Sequence, residues 1–272
     1  MKSFALALGG GGARGLAAIA VLEALDELEL KPAAIAGVSI GAALGAAYAA
    51  GITARVIRRT IIGLAHRRSQ TWARLVAARA TTLSQLFTAG FGNPLVLDAE
   101  KLAAAFIPDD IPDDFAALGI PLTVIAADLY GRGEAVFSSG PLRRALAASM
   151  AVPGLLRPVE VDGRILVDGA AVNPLPFEHL RGAADVVIAV DSAAGPRDPD
   201  GIPDPWECLF TTLQVMGHTI VAEKLKHGAP DLLIRPHVGR FRLLDFFHAS
   251  AILRVAETQK AAIKEQIAAL LA

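Results

Sequence analysis

The strongest constraint on the fold is a pattern that occurs twice near the beginning of the chain: a short apolar run, a turn and a helical pattern. In the first copy, Phe4–Leu8 is the apolar run, glycines 9–12 interrupt it, and residues 15–30 carry apolar side chains at helical spacing. In the second copy, residues 33–38 are the run and residues 40–50 are a helical pattern rich in small residues. Two successive strand and helix units predict an α/β fold with a parallel sheet.

Further strands are predicted downstream, with amphipathic helical patterns between some of them and a helical segment from about residue 249 to residue 272. The strand candidates are residues 122–127, 135–138, 165–167, 186–190 and 232–234. A chain of 272 residues that is 53% hydrophobic can bury one large core. We therefore expect a single domain over residues 1–272, with a surface loop at residues 195–205.

The overall charge argues against a nucleic-acid partner. The net charge is -1, whereas nucleic-acid binding depends on neutralising phosphates. Basic residues are nevertheless concentrated in one region, because residues 30–97 contain no Asp or Glu. The basic residues of that region are Lys31, Arg55, Arg58, Arg59, Arg67, Arg68, Arg74 and Arg79.

Neither the cysteine content nor the apolar segments predict secretion or a membrane span. The single cysteine, Cys208, can form neither an intramolecular disulfide nor a cysteine-rich zinc site, which favours a reducing, cytoplasmic location. Residues 32–54 are uncharged and long enough to cross a bilayer, which takes roughly 20 apolar residues. They are mostly Ala and Gly and include Ser39 and Thr53, so we expect a buried strand, turn and helix. The N-terminal apolar run reaches the glycines and Arg14 too soon for a signal peptide, and we expect a buried strand there too.

Ser39 lies in the pattern of a nucleophilic serine. Gly37 and Gly41 flank it, which gives the G-x-S-x-G motif of a tight turn between a strand and a helix. Glycine keeps Cβ atoms out of such a crowded turn, and the following helix directs its positive N-terminal end at the serine, where it favours an anion. A structural turn serine is the alternative interpretation of the same five residues.

The glycine-rich segment that ends at Gly15 admits two interpretations. Gly10, Gly12 and Gly15 satisfy the dinucleotide fingerprint G-x-G-x-x-G. That site needs an acidic residue at the end of the second strand, whereas this chain has Ser39 there and no acid around it. The other interpretation is an oxyanion loop, in which glycine amides face the oxygen of a tetrahedral intermediate. We discount a NAD or FAD site and predict an oxyanion loop beside Ser39.

A nucleophilic serine needs a base, and the usual base is a histidine held by a carboxylate. None of the six histidines lies in a glycine-rich or turn context that would present it to Ser39. They are His66, His179, His218, His227, His237 and His248. Asp168, by contrast, ends a β-rich run and is followed by Gly169. We take Asp168 as the candidate base, with an ordinary Asp-Gly turn as the alternative.

In order along the chain, these three motifs resemble those of the patatin-like phospholipases, which carry G-G-G-x-R-G, G-x-S-x-G and D-G-A/G. Here they are residues 10–15, 37–41 and 168–170. Residues 148–154 and 172–176 also resemble segments around the catalytic Asp of bacterial members, so the resemblance spans most of residues 3–192. One departure is Ile40, where many relatives have a small residue, which predicts a tighter turn on the helix side of Ser39.

The resemblance implies a three-layer α/β/α sandwich around a central, mostly parallel sheet. It also implies a serine acyl hydrolase whose substrate is a lipid or another acyl ester. The catalytic unit would be a dyad in which Asp168, directly or through a water, takes the proton of Ser39. No metal or organic cofactor is required for such a reaction.

For the glycine loop, the resemblance implies that the amides of Gly11 and Gly12 hold the oxyanion and that Gly10 shapes the loop. It implies one of two roles for Arg14, which either steadies that loop or meets a lipid phosphate.

Two other functions are compatible with these motifs. An α/β-hydrolase with a Ser, Asp and His triad would require one indispensable histidine, and its serine would lie unusually close to the N-terminus for that fold. A non-catalytic lipid-binding or regulatory protein would keep the same fold without turnover. The intact Ser39, Asp168 and glycine loop argue against that second alternative.

Residues 55–79 predict contact with an anionic membrane. Their arginines are interspersed with apolar residues, and helical spacing places several arginines beside an apolar face, as in interfacial helices. A helix directly after the Ser39 unit would also be well placed as a lid over an acyl-binding cleft. We therefore expect peripheral attachment to the inner face of the membrane. The alternative is a solvated helix whose arginines pair with acidic residues elsewhere in the chain.

Overall fold

The computed structural model describes residues 1–66, 98–108, 110–193, 195 and 201–272. Within them, one mixed sheet contains eight strands. The strands are β1 (Phe4–Leu8), β2 (Ile35–Val38), β3 (Leu122–Asp128), β4 (Gly133–Phe137), β5 (Val159–Val161), β6 (Arg164–Asp168), β7 (Val186–Val190) and β8 (Leu232–Ile234). Every strand expected from the sequence is present, and β5 is an additional strand whose three residues are too few to show a pattern.

The central part of the sheet is parallel. Strands β3, β2, β1, β7 and β8 lie side by side in that order and run in the same direction. Strands β4 and β6 pair with β3 in the antiparallel sense, and β5 pairs with β6 in the same way. All residues of β1 and β7 are buried, as is usual for parallel strands covered on both faces. The prediction of a mostly parallel central sheet is confirmed.

Helices cover both faces of this sheet. In the part of the chain that the structure describes, the α-helices are α1 (Ala18–Glu27), α2 (Ile40–Ala49), α3 (Ala54–His66), α4 (Ala99–Phe106), α5 (Leu142–Ser149), α6 (Pro205–His227), α7 (Ala249–Glu257) and α8 (Lys260–Leu271). Leu6 and Leu8 of β1 pack into a core with α1, α2, α7 and α8. Ala5 and Ala7 face the opposite side, where they share a second core with Val221 of α6, because successive side chains of a strand point to opposite faces. The fold is therefore a three-layer α/β/α sandwich.

The ends of β2 and β6 meet against β3. Strand β4 occupies one edge of β3, so the ladders that β3 forms with β2 and with β6 lie end to end along its other edge. Val38, the last residue of β2, is paired with Ile125, and Asp168, the last residue of β6, is paired with Ala126. Because β2 runs parallel to β3 and β6 runs antiparallel to it, both strands end at this junction.

Several helix boundaries differ from expectation. The segment 249–272 is two helices rather than one, since Thr258 and Gln259 form a turn between α7 and α8. Pro205 belongs to α6 rather than to the predicted loop, and proline is favoured at the first position of a helix. Residues 196–200 of that loop lie outside the described residues.

The apolar segment 32–54 forms β2, a turn and α2 before α3 begins, as expected. Among the described residues, no helix combines the length and the apolar character that a bilayer crossing requires.

Candidate active site

Ser39 occupies a strained turn between β2 and α2. Its backbone has φ 55° and ψ −128°, a conformation that costs a non-glycine residue of order 1–3 kcal/mol. A Cβ atom on Gly41 would lie 2.3 Å from the carbonyl oxygen of Leu8, and one on Gly37 would lie 2.7 Å from Cα of Ala42. The turn is thus possible only with glycine on both sides of the serine, as the motif predicted.

The Ser39 hydroxyl donates a hydrogen bond to Asp168. The distance from Ser39 Oγ to Asp168 Oδ2 is 2.6 Å, and both residues are buried. The other carboxylate oxygen, Oδ1, accepts a hydrogen bond from the amide of Ala170 at 2.9 Å. Burial raises the pKa of the Asp168 carboxyl from its usual value of 3.8 to about 6, although the hydrogen bonds from Ser39 and Ala170 act in the opposite direction. A carboxylate with this pKa is a stronger base than an exposed aspartate.

Ser149, at the end of α5, fixes the backbone of Ser39. The Ser39 amide donates to Ser149 Oγ at 2.8 Å, and that hydroxyl donates in turn to the carbonyl of Ile125 at 2.6 Å. Ser149 is completely buried. Sequence reasoning noted the segment 148–154 through its resemblance but did not assign Ser149 a role, because a serine inside a helical pattern gives no local signal of this contact.

None of the six histidines, all of which lie in the described part of the chain, forms a hydrogen bond with Ser39 or Asp168. His218 on α6 lines the same cleft as Ser39. Ser39 Oγ bonds directly to Asp168, with no histidine between the two side chains.

The glycine loop follows β1 and lies beside Ser39. A Cβ atom on Gly10 would lie 3.6 Å from Cβ of Ser39. The Gly10 amide is already occupied, since it donates to the carbonyl of Pro174 at 3.0 Å. Among the described residues, the amides of Gly11 and Gly12 donate to no carbonyl, and both glycines line the cleft. These two amides are therefore available for a developing oxyanion, whereas Gly10 holds the loop in place.

Arg14 and Gly15 continue this loop into the helical layer. Arg14 is buried, and its Nη2 donates to Oε1 of Gln214 on α6, which fits the loop-steadying role better than contact with a lipid phosphate. Gly15 accommodates Ile40, because a Cβ atom on Gly15 would lie 2.2 Å from Ile40 Cγ2. The larger residue at position 40 is therefore tolerated through the absence of a side chain at position 15.

Gly169 allows Asp168 to approach β3. A Cβ atom on Gly169 would lie 2.2 Å from the carbonyl oxygen of Ile125, so any other residue would push this turn away from the sheet. The amide of Asp168 donates to the carbonyl of Ala151 at 3.0 Å, which ties the base to the segment after α5.

A cleft of about 670 Å³ opens over Ser39 and Asp168. Its wall is formed mainly by apolar side chains from α2, α3, α6 and two connecting segments, including Ala47, Ile57, Ile61, Met150, Phe210 and Leu243. A pocket of this size and character suits an elongated apolar ligand. The contribution of α6 was not predicted, because its pattern only indicated a helix and not the face of the sheet that it covers.

A cluster of Glu134, Glu178 and His179 has three potential metal ligands close together. The ammonium group of Lys224 lies 2.6 Å from Glu178 Oε2, and His179 Nε2 lies 2.6 Å from Glu134 Oε2. A cation of the protein thus already neutralises this cluster, so its donor set does not favour a metal ion.

The arginines of residues 55–79 fall into three groups: one is paired, two are exposed and four lie outside the described residues. Arg58 forms ion pairs with Glu23, at 2.7 Å, and with Glu257, which agrees with the alternative interpretation of arginines paired with acidic residues elsewhere in the chain. Arg55 and Arg59 are exposed. The remaining arginines of the region, Arg67, Arg68, Arg74 and Arg79, lie outside the described residues.

Comparison with known proteins agrees with this geometry. The model of the patatin-like phospholipase family matches residues 6–181. An uncharacterized NTE family protein of Mycobacterium bovis is 40% identical over 201 residues, which cover 72% of this chain and 52% of that protein. Patatin-like phospholipase domain-containing protein 7 of Rattus norvegicus is 29% identical over 90% of this chain and 19% of its own length. The chain thus spans about half the length of the mycobacterial relative.

A solved structure shows the same fold. The crystal structure of VipD from Legionella pneumophila superimposes with a TM-score of 0.52 over 97% of this chain and 67% of that chain, at 13% sequence identity. The family model matches well over half of the chain, and the matched residues include Ser39 and Asp168. The chain belongs to the patatin-like phospholipase family.

Proposed function

We propose that this protein is a lipid acyl hydrolase, of the phospholipase A or lysophospholipase kind, in which Ser39 is the nucleophile and Asp168 is the general base. The observation that carries the proposal is the 2.6 Å hydrogen bond from Ser39 Oγ to Asp168 Oδ2 at the floor of an apolar cleft. A nucleophile and a base within hydrogen-bond distance are the basic requirement of covalent catalysis.

In the acylation step, Ser39 Oγ attacks the ester carbonyl carbon while its proton passes to Asp168 Oδ2. The carbonyl oxygen becomes an anion, which the amides of Gly11 and Gly12 stabilise together with the N-terminal end of α2. When the tetrahedral intermediate collapses, the ester C–O bond breaks and Asp168 returns the proton to the departing alcohol. The acyl group is then esterified to Ser39.

Deacylation repeats these steps with water. Asp168 takes a proton from a water molecule as its oxygen attacks the acyl carbon, and the same amides stabilise the second oxyanion. Collapse of this intermediate breaks the bond to Ser39 Oγ, which recovers its proton from Asp168. The free fatty acid leaves, and every atom and proton is accounted for by ester, water and the two side chains.

The cleft supports a long acyl chain as the part of the substrate that is recognised. Apolar surface removed from water contributes roughly 25 cal/mol per Å², and the walls beyond Ser39 are mostly aliphatic and aromatic. Small residues on α2, Ala43 and Ala47, leave room along one wall.

The mouth of the cleft supports contact with an anionic lipid surface. Val56, Met216, Leu244 and Phe246 line the cleft and are also exposed. Arg59 lies one helical turn after Val56 on α3, and side chains at this spacing are neighbours on a helix surface. Apolar side chains beside exposed arginines are the combination that interfacial segments use.

Labelling by a fluorophosphonate probe tests the proposed nucleophile. Wild-type protein should be labelled at Ser39 and should hydrolyse a lysophospholipid, whereas Ser39→Ala should do neither. Labelling that persists in the folded Ser39→Ala variant, or that maps to another serine, would contradict the proposal.

A further inference from the structure

A cluster of polar side chains surrounds the buried Asn173, next to Pro174 and the glycine loop. We call it the Lys224 cluster, and its members are Lys224, Asn173, Glu178, Glu134 and His179. Lys224 Nζ donates to Glu178, to the side-chain oxygen of Asn173 and, at 2.7 Å, to the carbonyl of Leu175. The Asn173 side-chain amide donates to Glu178 at 2.6 Å and to Glu134 at 3.0 Å.

This cluster holds the segment that connects the base with the oxyanion loop. Asn173, which is completely buried, and Leu175 flank Pro174, whose carbonyl accepts the hydrogen bond from Gly10. The amide of Asn173 also donates to the carbonyl of Gly169 at 2.8 Å, directly after Asp168. One short segment therefore carries the base at its beginning and holds the glycine loop at its end.

Helix α6 contacts the same loop at a second point. Gln214 of α6 accepts a hydrogen bond from Arg14, which continues the glycine loop. Gly217 lies between Gln214 and Lys224 on this helix, and a Cβ atom there would lie 3.4 Å from Pro174 Cγ. Helix α6 thus contacts the glycine loop through Gln214 and the segment that holds this loop through Lys224, about three helical turns apart.

Partial burial of the Lys224 ammonium group costs free energy unless hydrogen-bond partners replace the lost water. Burial lowers the pKa of Lys224, while the hydrogen bond and the charge of Glu178 oppose that shift. An ordinary surface ion pair such as Lys226 with Glu223 needs none of these partners. Lys224 also lies beyond residues 6–181, which the family model matches.

We propose that Lys224 and Asn173 are positioning residues for the oxyanion loop: through Pro174, they set the amides of Gly11 and Gly12 against Ser39. This inference rests on the proposed function, in which those amides stabilise the oxyanion. Neither residue touches the substrate. Their effect is to keep the loop from relaxing by about 1 Å, a displacement large enough to make an amide donor unproductive.

The test compares Lys224→Met with Lys226→Met, which removes an exposed ammonium group two residues further along the same helix. Lys224→Met should lower kcat on a soluble short-chain ester by roughly 10²-fold, because a misplacement of about 1 Å costs that much, with KM changed less than about twofold. Lys226→Met should behave as wild type. Lys224→Arg, which keeps a cation with several donors, should recover part of the loss.

Hydrogen exchange supplies a readout that is independent of turnover. Lys224→Met should speed exchange of the Gly10 amide, which is bonded to Pro174, and Asn173→Ser should do the same with a smaller effect on the fold. If a folded Lys224→Met or Asn173→Ser variant keeps wild-type kcat and wild-type exchange at Gly10, the positioning role is wrong. If instead wild-type protein is not labelled at Ser39 while exchange at Gly10 responds to both variants, the proposed hydrolase function fails and the structural coupling stands.

Discussion

Ser39 Oγ lies 2.6 Å from Asp168 Oδ2 although 129 residues separate the two along the chain. The contact is a consequence of the sheet, because Val38 and Asp168 pair with the consecutive residues Ile125 and Ala126 of β3. Two strands that end against the same edge bring their terminal residues together without any long side chain or flexible loop. The contact between Ser39 and Asp168 is therefore positioned by the pairing of β2 and β6 with β3.

Replacement of the base should abolish turnover without a histidine taking its place. We expect Asp168→Asn to lower kcat by roughly 10²- to 10⁴-fold, the usual contribution of a general base, because asparagine cannot accept the Ser39 proton. His218→Ala is the matched comparison, since His218 is the histidine that lines the cleft. Steady-state kinetics of both variants decide the matter: a folded His218→Ala enzyme as inactive as Ser39→Ala would indicate a triad.

The pH profile should report the titration of Asp168. Only the ionised carboxylate can take the serine proton, and burial raises its pKa to about 6. We therefore expect kcat/KM to be level above about pH 7 and to fall about tenfold per pH unit below about pH 6. The substrate should be an uncharged ester, so that its own protonation does not change over this pH range. A profile that stays level down to pH 4.5 would show that Asp168 is not the base.

The same shift predicts a stability difference. Because the pKa of Asp168 is raised in the folded state, from 3.8 to about 6, its contribution to stability is fully present below about pH 4 and is lost as the pH rises through about 6. The Asp168→Asn variant has no carboxyl group to ionise at this position. Its free energy of unfolding at pH 8 should therefore exceed that of wild type by up to about 3 kcal/mol. Urea unfolding of both proteins at pH 4 and pH 8 measures it, and an equal difference at the two pH values would be inconsistent with a titrating Asp168.

Deletion of a single amide tests the oxyanion loop. Proline is unsuitable at Gly11, where φ is 139° and proline requires about −65°, so glycolic acid at this position is the better change, since it replaces only the N–H by oxygen. Loss of one donor typically lowers kcat by roughly 10²- to 10³-fold. The same replacement at exposed Gly182 serves as the control. An unchanged kcat after replacement at Gly11 would exclude its amide as a donor.

Contact with an anionic lipid surface should depend on the exposed arginines of α3. We expect Arg55→Glu with Arg59→Glu to weaken binding to anionic vesicles at low salt, because each basic residue near such a surface contributes about 1 kcal/mol, while hydrolysis of a soluble ester stays unchanged. The control is Lys101→Glu with Arg132→Glu, which makes the same charge change away from the cleft. Equal cosedimentation of both double variants with the vesicles would contradict a role of α3 in membrane binding.

What the sequence determined by itself is local. Strand, turn and helix follow from patterns within about a dozen residues, and Gly37 is required by a steric contact within the turn itself, the one with Ala42. Asp168 was recognisable through its Asp-Gly motif and the order of motifs. The family resemblance joined these local signals into one expected site.

The tertiary structure decided everything that depends on which elements become neighbours. The order of strands brings Asp168 to Ser39, burial by the surrounding layers raises its pKa, and the packing of α6 places Gln214 and Lys224 against the glycine loop. It also pairs Arg58 with Glu23 and Glu257. Such contacts join residues far apart in the chain, and because helical or strand periodicity depends only on nearby residues, no local pattern carries them.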